Sequence, residues 1–316
     1  MTRRIFITGA SGFVGRHLLH LLDSPENEVY GTSFPHEPLP LGLSCDSNIC
    51  HLDIRDKERL SAAIDQAQPE WIFHLAAVSN VGHSWKKRTE TLETNLLGSQ
   101  NVFEAAREFV PQARMLFVSS SNVYAQQSGE NIVLSEEDPI AAVSPYAYSK
   151  VCGELLSRFY VEVEDLQVII TRAFPHTGPG QSPDFVCSDW ARQIVAIERG
   201  KSDPIVRVGN ISVRRDFCDV RDVVKAYVSL LEKGRVGEVY NIASGNAVSL
   251  QEILDTLLSL SSIEVEVEVD PEKMRKADIL SLHGDAHKIG EDTGWRPSIP
   301  LDQTLRDLLE YWRVYF

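Results

Sequence analysis

This 316-residue chain is bounded first by what it has little of. It carries no excess of positive charge: 31 Lys and Arg face 45 Asp and Glu, a net charge of −14. Such a surface repels a phosphate backbone, which argues against nucleic acid as a partner. A small anionic ligand stays compatible, because a few arginines and a helix N-terminus are locally positive. No uncharged apolar run approaches the roughly 18 to 20 residues of a membrane span. The apolar stretch 5–7 behind Arg3 and Arg4 is too short for the core of a secretory leader. The five cysteines are an odd number with no C-x-x-C pair, which favours reduced thiols over a disulfide framework. A cytoplasmic protein without membrane association is expected. His283 and His287 stand four apart, but Gly284 intervenes and no third ligand pattern follows, so no metal site is expected.

What is present is a globular composition, with 43% hydrophobic and 24% charged residues, and a length fitting about two domains. Short β-branched or aromatic runs at 4–8, 29–33, 49–53, 71–75, 115–119 and 168–171 alternate with helical patterns at 13–23, 56–66, 92–109 and 145–163. That rhythm predicts an α/β fold, a Rossmann-like doubly wound parallel sheet with helices on both faces. Such sheets bind ligands beyond the carboxyl ends of their strands. After Arg172 the pattern is irregular: a loop over 173–184 rich in proline and glycine, a helix at 185–199, and a strand pair at 205–208 and 214–218. A helix at 220–232 and a strand at 238–242 follow. Ser249 and Glu252 form a capping-box arrangement at the start of another helix. The alternation over 263–269 predicts a half-exposed edge strand. We expect a dinucleotide-binding domain over 1–173, with 219–242 returning to it, and a smaller α/β substrate domain over 174–316. Trp190 and Trp312 read as core or interface.

The first strand runs into Gly9, Ser11, Gly12, Phe13, Val14 and Gly15, which open a helix. Glycines at i, i+3 and i+6 allow a tight turn and a close approach of backbone to a pyrophosphate at the helix N-terminus. A purely structural turn is the competing reading. At the end of the second strand, where an acid would select NAD and an arginine NADP, stand Gly31-Thr32-Ser33-Phe34-Pro35-His36. The missing acid leans toward NADP(H), with Ser33, Arg16 or His36 as phosphate partners. Asp53 is either a partner of the adenine amino group or a cap for the next helix.

Ser144-Pro145-Tyr146-Ala147-Tyr148-Ser149-Lys150 contains Tyr-x-x-x-Lys. Ser144 suits an N-cap and Pro145 the first helical position, which puts Tyr146 and Lys150 one turn apart on one face. An ammonium there favours phenolate and would lower the phenol pKa toward a working range. An exposed aromatic–lysine pair is the bland alternative. Upstream, a buried strand ends in Ser119, Ser120 and Ser121, where a substrate oxygen could be held; ordinary loop capping would look the same.

Together, T-G-A-S-G-F-V-G (8–15), F-H-L-A-A (73–77), the serine-rich strand end and Y-x-x-x-K resemble the extended short-chain dehydrogenase/reductase family over essentially the whole chain. The resemblance implies that Ser120 bonds the reacting oxygen, Tyr146 moves its proton, and Lys150 binds the nicotinamide ribose and tunes Tyr146. It also implies that Ile54, Leu75, Ala76, Ala77 and Phe174 line the cofactor and that Asn95 is a structural residue of the central helix. The helices at 92–109 and 145–163 would pair across a two-fold axis in a homodimer.

Members of that family act on nucleotide-diphosphate sugars. The 4,6-dehydratases carry a Glu at the strand end as base; here Ser121 and Asn122 follow Ser120, and a carboxamide is no general base. Glu136, Glu137 and Asp138 read as a solvated loop. The segments 176–181, 208–210, 215–222, 270–275 and 294–297 resemble the reductases of GDP-6-deoxy-4-keto-D-mannose, which make GDP-D-rhamnose. That likeness implies a GDP-sugar substrate. Arg215 and Arg275 would clamp its diphosphate, or else be surface ion pairs. Ser84 and Trp85 would lie beside the hexose and Gln181, Phe185 and Asp278 nearer the nucleotide, with Ser79, Ser121, Asn122 and Val186 as further substrate contacts. Pro175 and Lys276 depart from the reductase pattern, which has Asn and Pro there. The competing readings are a 4-epimerase, a dehydratase with another base, and a non-catalytic nucleotide sensor.

Overall fold

The computed structural model describes residues 2–34, 48–125, 132–274 and 281–316. Its centre is a parallel sheet of seven strands. In chain order these include β1 (Arg3–Thr8), β2 (Asn27–Ser33), β3 (Ile49–His51), β4 (Trp71–His74) and β5 (Arg114–Ser120). After β6 (Val133–Leu134), which lies elsewhere, β7 (Gln167–Ala173) completes the first six. The seventh, β12 (Val239–Ile242), pairs with β7, and the spatial order is β12-β7-β5-β4-β1-β2-β3. The strands read as continuous apolar runs because both faces are covered. Ile5 and Ile7 enter one core while Phe6 enters the other; Leu116 and its neighbours Met115 and Phe117 divide the same way.

The first face is covered by α1 (Phe13–Leu22) and α8 (Val220–Lys233), with α10 (His287–Thr293) beside α8. The second carries α2 (Lys57–Ala67), α5 (Ser99–Phe109) and α6 (Pro145–Glu162). Between β4 and α5 lie α3 (Val81–Lys86) and α4 (Arg88–Leu92). The helix expected over 92–109 is interrupted: residues Glu93–Gly98 form a widened π turn before α5. Such turns break the regular ladder and present side chains at sites. Here a Cβ on Gly98 would come within 2.6 Å of Ile54 Cδ1, so the chain passes close over the β3–α2 connection.

A third core unites α7 (Val186–Glu198), α9 (Leu250–Ser259) and α11 (Leu301–Tyr315) under β9 (Ile205–Val208). Trp190 is buried in it, and Trp312 packs at its margin with Nε1 donating to Ser188 Oγ at 3.0 Å. The capping box at Ser249 and Glu252 forms as expected. The expected strand pairing does not. Strand β9 pairs in parallel with β14 (Glu266–Val269), and the segment 214–218 splits at Phe217. Its first part, β10 (Arg214–Asp216), lies between β13 (Ala247–Ser249) and β15 (Ser281–Gly284). Its second, β11 (Cys218–Asp219), pairs with β8 (His176–Thr177). The buried Asp216 carboxylate fixes the first part by accepting from Ser244 N, Gly245 N and Gly284 N at 2.8, 2.9 and 3.2 Å. In β14 all four residues are exposed, whereas Ile263 and Val265 pack against the third core, so only the start of the alternating segment buries its apolar face. His283 lies on β15 and His287 opens α10, so the two imidazoles do not share a helix. Among the described residues, no helix is long and apolar enough to cross a membrane.

Candidate active site

The glycine turn sits at the carboxyl end of β1. Gly9 takes φ +72°, and a Cβ there would stand 2.9 Å from the Ala76 backbone; one on Gly15 would stand 2.4 Å from Gly9 O. Only glycine permits both the turn and this close packing of helix on strand. Helix α1 opens on Gly12 with no side-chain cap and no acidic residue in its first turn. Its first N–H groups therefore keep the donor capacity that suits a pyrophosphate, and the turn fits a dinucleotide. Ile54 is buried, while Leu75, Ala76 and Ala77 are half-buried along the β4 end. Phe13 stacks on His176 and meets His17 edge-on, and His17 Nε2 bonds Pro179 O at 2.8 Å, which ties the cofactor helix to the 176–181 loop.

Three expected cofactor contacts make bonds or packing within the fold. Ser33 is fully buried, its hydroxyl 2.6 Å from His51 Nδ1, so β2 turns it inward, away from any phosphate. Phe174 packs in a small core with Tyr124, Leu134 and Leu282, so its ring belongs to the fold. Asp53 does not cap α2, because Asp56 does so by accepting from Arg59 N. Instead Asp53 holds Arg55, with Nη2 at 2.6 Å, and this hydrogen-bonded pairing keeps its carboxyl below the usual range. Arg16 Nε donates to Ser11 O at 2.7 Å. His36, Arg275 and Asp278 lie outside the described residues.

Tyr146, Lys150 and Ser120 converge where β5 meets α6. Ser144 caps α6 by accepting from Ala147 N at 3.0 Å, with Pro145 at the first position. Ser120 Oγ accepts from Asn122 N and Asn122 Nδ2 at 3.2 and 3.1 Å and lies beside the Tyr146 phenol. Lys150 Nζ donates to Val118 O at 2.7 Å and lies 5.9 Å from the Tyr146 ring centre. Burial pushes the Tyr146 phenol up and the neighbouring Ser120 only partly opposes it, so the expected lowering by Lys150 is not found. Desolvation dominates, and the Lys150 ammonium is turned on the Val118 carbonyl. Burial also brings Lys150 down to about 8, against the pull of Glu154.

Several substrate candidates are hydrogen-bonded within the fold. Ser84 is fully buried: its hydroxyl donates to Val81 O and accepts from Tyr146 N at 3.2 Å, so it positions the tyrosine. Gln181 is buried and closes its own loop, accepting from Thr177 Oγ1 at 2.7 Å and donating to His176 O at 2.9 Å. Ser121 is buried in the turn after β5. Ser79, Trp85 and Asn122 are exposed, Phe185 and Val186 are half-buried where α7 begins, and Arg215 lies on the central strand of the small sheet, donating to Arg214 O. Glu136 is no solvated side chain: it accepts from Asn241 N at 2.7 Å, and Asp138 holds Ser135.

A buried chain of polar groups escaped the sequence reading. The Thr8 hydroxyl and the Ser99 hydroxyl flank His74 at 2.7 and 2.8 Å, and Ser99 Oγ donates to Asn95 O. Asn95 in turn binds both backbone groups of Val78 and donates to Ser149 Oγ, which donates to Tyr146 O. Burial, with a smaller effect of Lys150, drops His74 to about 3, so a neutral imidazole links the glycine turn to the catalytic helix. The signal was the His inside F-H-L-A-A.

Comparison with known proteins follows this geometry. Residues 6–308 match the model of the family described as GDP-mannose 4,6 dehydratase. The chain is 33% identical over 312 residues to the GDP-6-deoxy-D-mannose reductase of Pseudomonas aeruginosa, covering 99% of this chain and 98% of that protein. It is 27% identical to the dTDP-glucose 4,6-dehydratase of Neisseria meningitidis over 98% of this chain and 93% of that one. The solved structure of RMD from Pseudomonas aeruginosa complexed with NADPH superposes with a TM-score of 0.88 at 32% identity over the full length of both chains.

Proposed function

The chain belongs to the GDP-mannose 4,6-dehydratase family of extended short-chain dehydrogenase/reductases, and on that premise we propose that it is a reductase rather than a dehydratase. It is an NAD(P)-dependent oxidoreductase acting on a nucleotide sugar. The finer reading is reduction of the C4 ketone of GDP-6-deoxy-4-keto-D-mannose to GDP-D-rhamnose with NADPH. One observation carries it: Asn122, at the strand end, is a carboxamide whose Nδ2 donates to Ser120. Elimination needs a base there. Glu136 and Glu154 are committed to Asn241 N and to Arg172, so neither replaces it.

The reduced nicotinamide supplies the hydride when bound. The Ser120 hydroxyl and the Tyr146 phenol, side by side, would offer two donors to a ketone oxygen. A phenol pushed up by burial stays protonated until that oxygen becomes an alkoxide, and an alkoxide is basic enough to take the proton. The Lys150 ammonium then faces the resulting phenolate. The glycine turn at Gly9, Gly12 and Gly15 would hold the pyrophosphate, and Arg215 with Arg275 the substrate diphosphate. Residues 1–173 with 219–242 read as the cofactor domain and the remainder of 174–316 as the substrate domain. On α6 and at its C-cap, Leu155, Phe159 and Val163 are 60%, 47% and 62% exposed at four-residue spacing. Such a stripe supports a homodimer through this helix, and a monomer in sedimentation at micromolar concentration would refute it.

The deciding experiment supplies the 4-keto products of GDP- and dTDP-sugar dehydratases, follows NADPH oxidation, and identifies the product sugar. Consumption with the GDP-keto sugar and formation of the rhamnose epimer are expected. Retained cofactor with no net consumption would identify an epimerase instead, and release of a keto sugar from an intact nucleotide hexose a dehydratase.

A further inference from the structure

Three consecutive residues at the end of β5 each face a different residue of α6. Val118 O accepts from Lys150 Nζ at 2.7 Å, Ser119 Oγ donates to Glu154 Oε1 at 2.6 Å, and Ser120 stands beside the Tyr146 phenol. The helix residues stand at i, i+4 and i+8, one above another on a single stripe. The outer two contacts belong to the reacting groups; the middle one does not.

Glu154 and Arg172 are 2% and 3% exposed, and their pairing is bidentate, with Nε to Oε1 at 3.1 Å and Nη2 to Oε2 at 2.9 Å. Arg172 stands on β7, the strand next to β5. It also donates to Glu136 O at 3.0 Å and lies 4.8 Å from the ring centre of Tyr124, just past the turn that carries Ser121 and Asn122. Burying an ion pair contributes little net stability compared with apolar packing, so its use here calls for another reason.

We propose that Ser119, Glu154 and Arg172 are a positioning unit that fixes the strand end carrying Ser120 against the helix carrying Tyr146 and Lys150. The proposal rests on the reading that Tyr146 and Lys150 carry the reaction. Geometry is one half of the unit's action, since a strand end displaced by a fraction of an ångström misaligns both donors to the ketone oxygen. Charge is the other half. Lys150 is faced by the phenol of Tyr146 and the carboxylate of Glu154 on its own helix and by the neutral His74 on β4, so Glu154 is the acidic partner that favours its ammonium.

Two substitutions separate the halves. Ser119→Ala removes the link to the strand while leaving the ion pair intact. Glu154→Gln keeps an acceptor for Ser119 and removes the charge. The readouts are steady-state kinetics with NADPH and the keto sugar, thermal melting, and the titration of Lys150 followed by NMR of 13C-labelled lysine, assigned with Lys150→Met. Ser119→Ala is expected to lose about tenfold or more in kcat with KM for both ligands nearly unchanged and the Lys150 titration unmoved. Glu154→Gln is expected to shift that titration, and the alkaline limb of kcat, to lower pH. If Glu154→Gln does not fold, Glu154→Gln with Arg172→Met removes both charges and is read the same way. A Ser119→Ala enzyme within twofold of wild type, or a Lys150 titration unmoved without the Glu154 charge, overturns the proposal. A wild-type protein that reduces no keto sugar instead refutes the functional reading, and the NMR titration then still decides the part played by Glu154.

Discussion

The edge where β5 meets α6 and the seam where α8 meets the third core both bury charge, and they use it differently. At the edge, Glu154 and Arg172 pair through their side chains, and burial leaves Tyr146 above and Lys150 below their ordinary values. At the seam, carboxylates are turned on backbone N–H groups. Asp222 accepts from Ser298 N and Ile299 N at 2.6 and 2.7 Å and from Ser298 Oγ at 2.9 Å. Asp219 caps α8 through Arg221 N and accepts from Thr304 Oγ1 at 2.7 Å. Burial alone would raise Asp222, but these bonds and Lys225 more than offset it. A group paired with fixed N–H donors is locked in one charge state, whereas one facing another titratable side chain keeps a proton within reach of chemistry. On the proposed function, the first region would govern rate and the second stability.

The largest effect that would break this contrast is at the edge. Tyr146→Phe removes one hydroxyl and keeps the packing. It should lower kcat about a thousandfold, equivalent to about 4 kcal/mol of transition-state stabilisation, with a nearly unchanged melting temperature. Stopped-flow or steady-state NADPH oxidation measures it. Activity within tenfold of wild type would mean that another group supplies the proton.

Next comes the seam. Asp222→Ala strips three donors of their buried acceptor and should cost about 3 kcal/mol of stability, while kcat per folded molecule stays within twofold. The sign with pH is fixed by the lowered carboxyl. Its stabilisation is complete above the unfolded-state value and is lost as pH falls through the lower folded-state one, so the gap between wild type and variant should close in acid. Urea unfolding at neutral and acid pH reads both. A gap that widens in acid would show that Asp222 is not held as the carboxylate.

The two regions also differed in how far the sequence disclosed them. The glycine turn and Tyr146–Lys150 were readable because each is a local pattern: turn glycines between a strand and a helix, a cap, and one helical period. The seven-strand sheet followed from alternation of apolar runs and helices. The unread features are those that depend on distant partners. Phe217 divides a segment that reads as one strand because Asp216 is claimed by Ser244, Gly245 and Gly284, all remote in the chain. Ser33 has the composition of a phosphate ligand, but strand parity points it at His51. The π turn at Glu93–Gly98 keeps helical periodicity and so hides inside a longer helix. Glu154 stood four residues past Lys150 on the same stripe, and only the position of Arg172 on the neighbouring strand gives it a role.

The smallest effect sharpens the contrast furthest from the reacting groups. Ser249 Oγ accepts from Glu252 N at 3.1 Å, and Glu252 Oε2 accepts from Ser249 N at 2.7 Å, a reciprocal cap on α9. Helix α9 is held mainly by Ile253, Leu254 and Leu257 in the third core, so losing one cap frays its first turn without undocking it. Ser249→Ala should therefore cost about 1 kcal/mol in denaturant unfolding. The turn it opens is joined to β13, which pairs with Arg215 on β10. If Arg215 binds the substrate diphosphate, KM for the sugar nucleotide should rise slightly while kcat and KM for NADPH stay fixed. A change in kcat without a change in sugar KM would mean that α9 communicates with the β5 edge after all, and the division of labour between the two regions would fail.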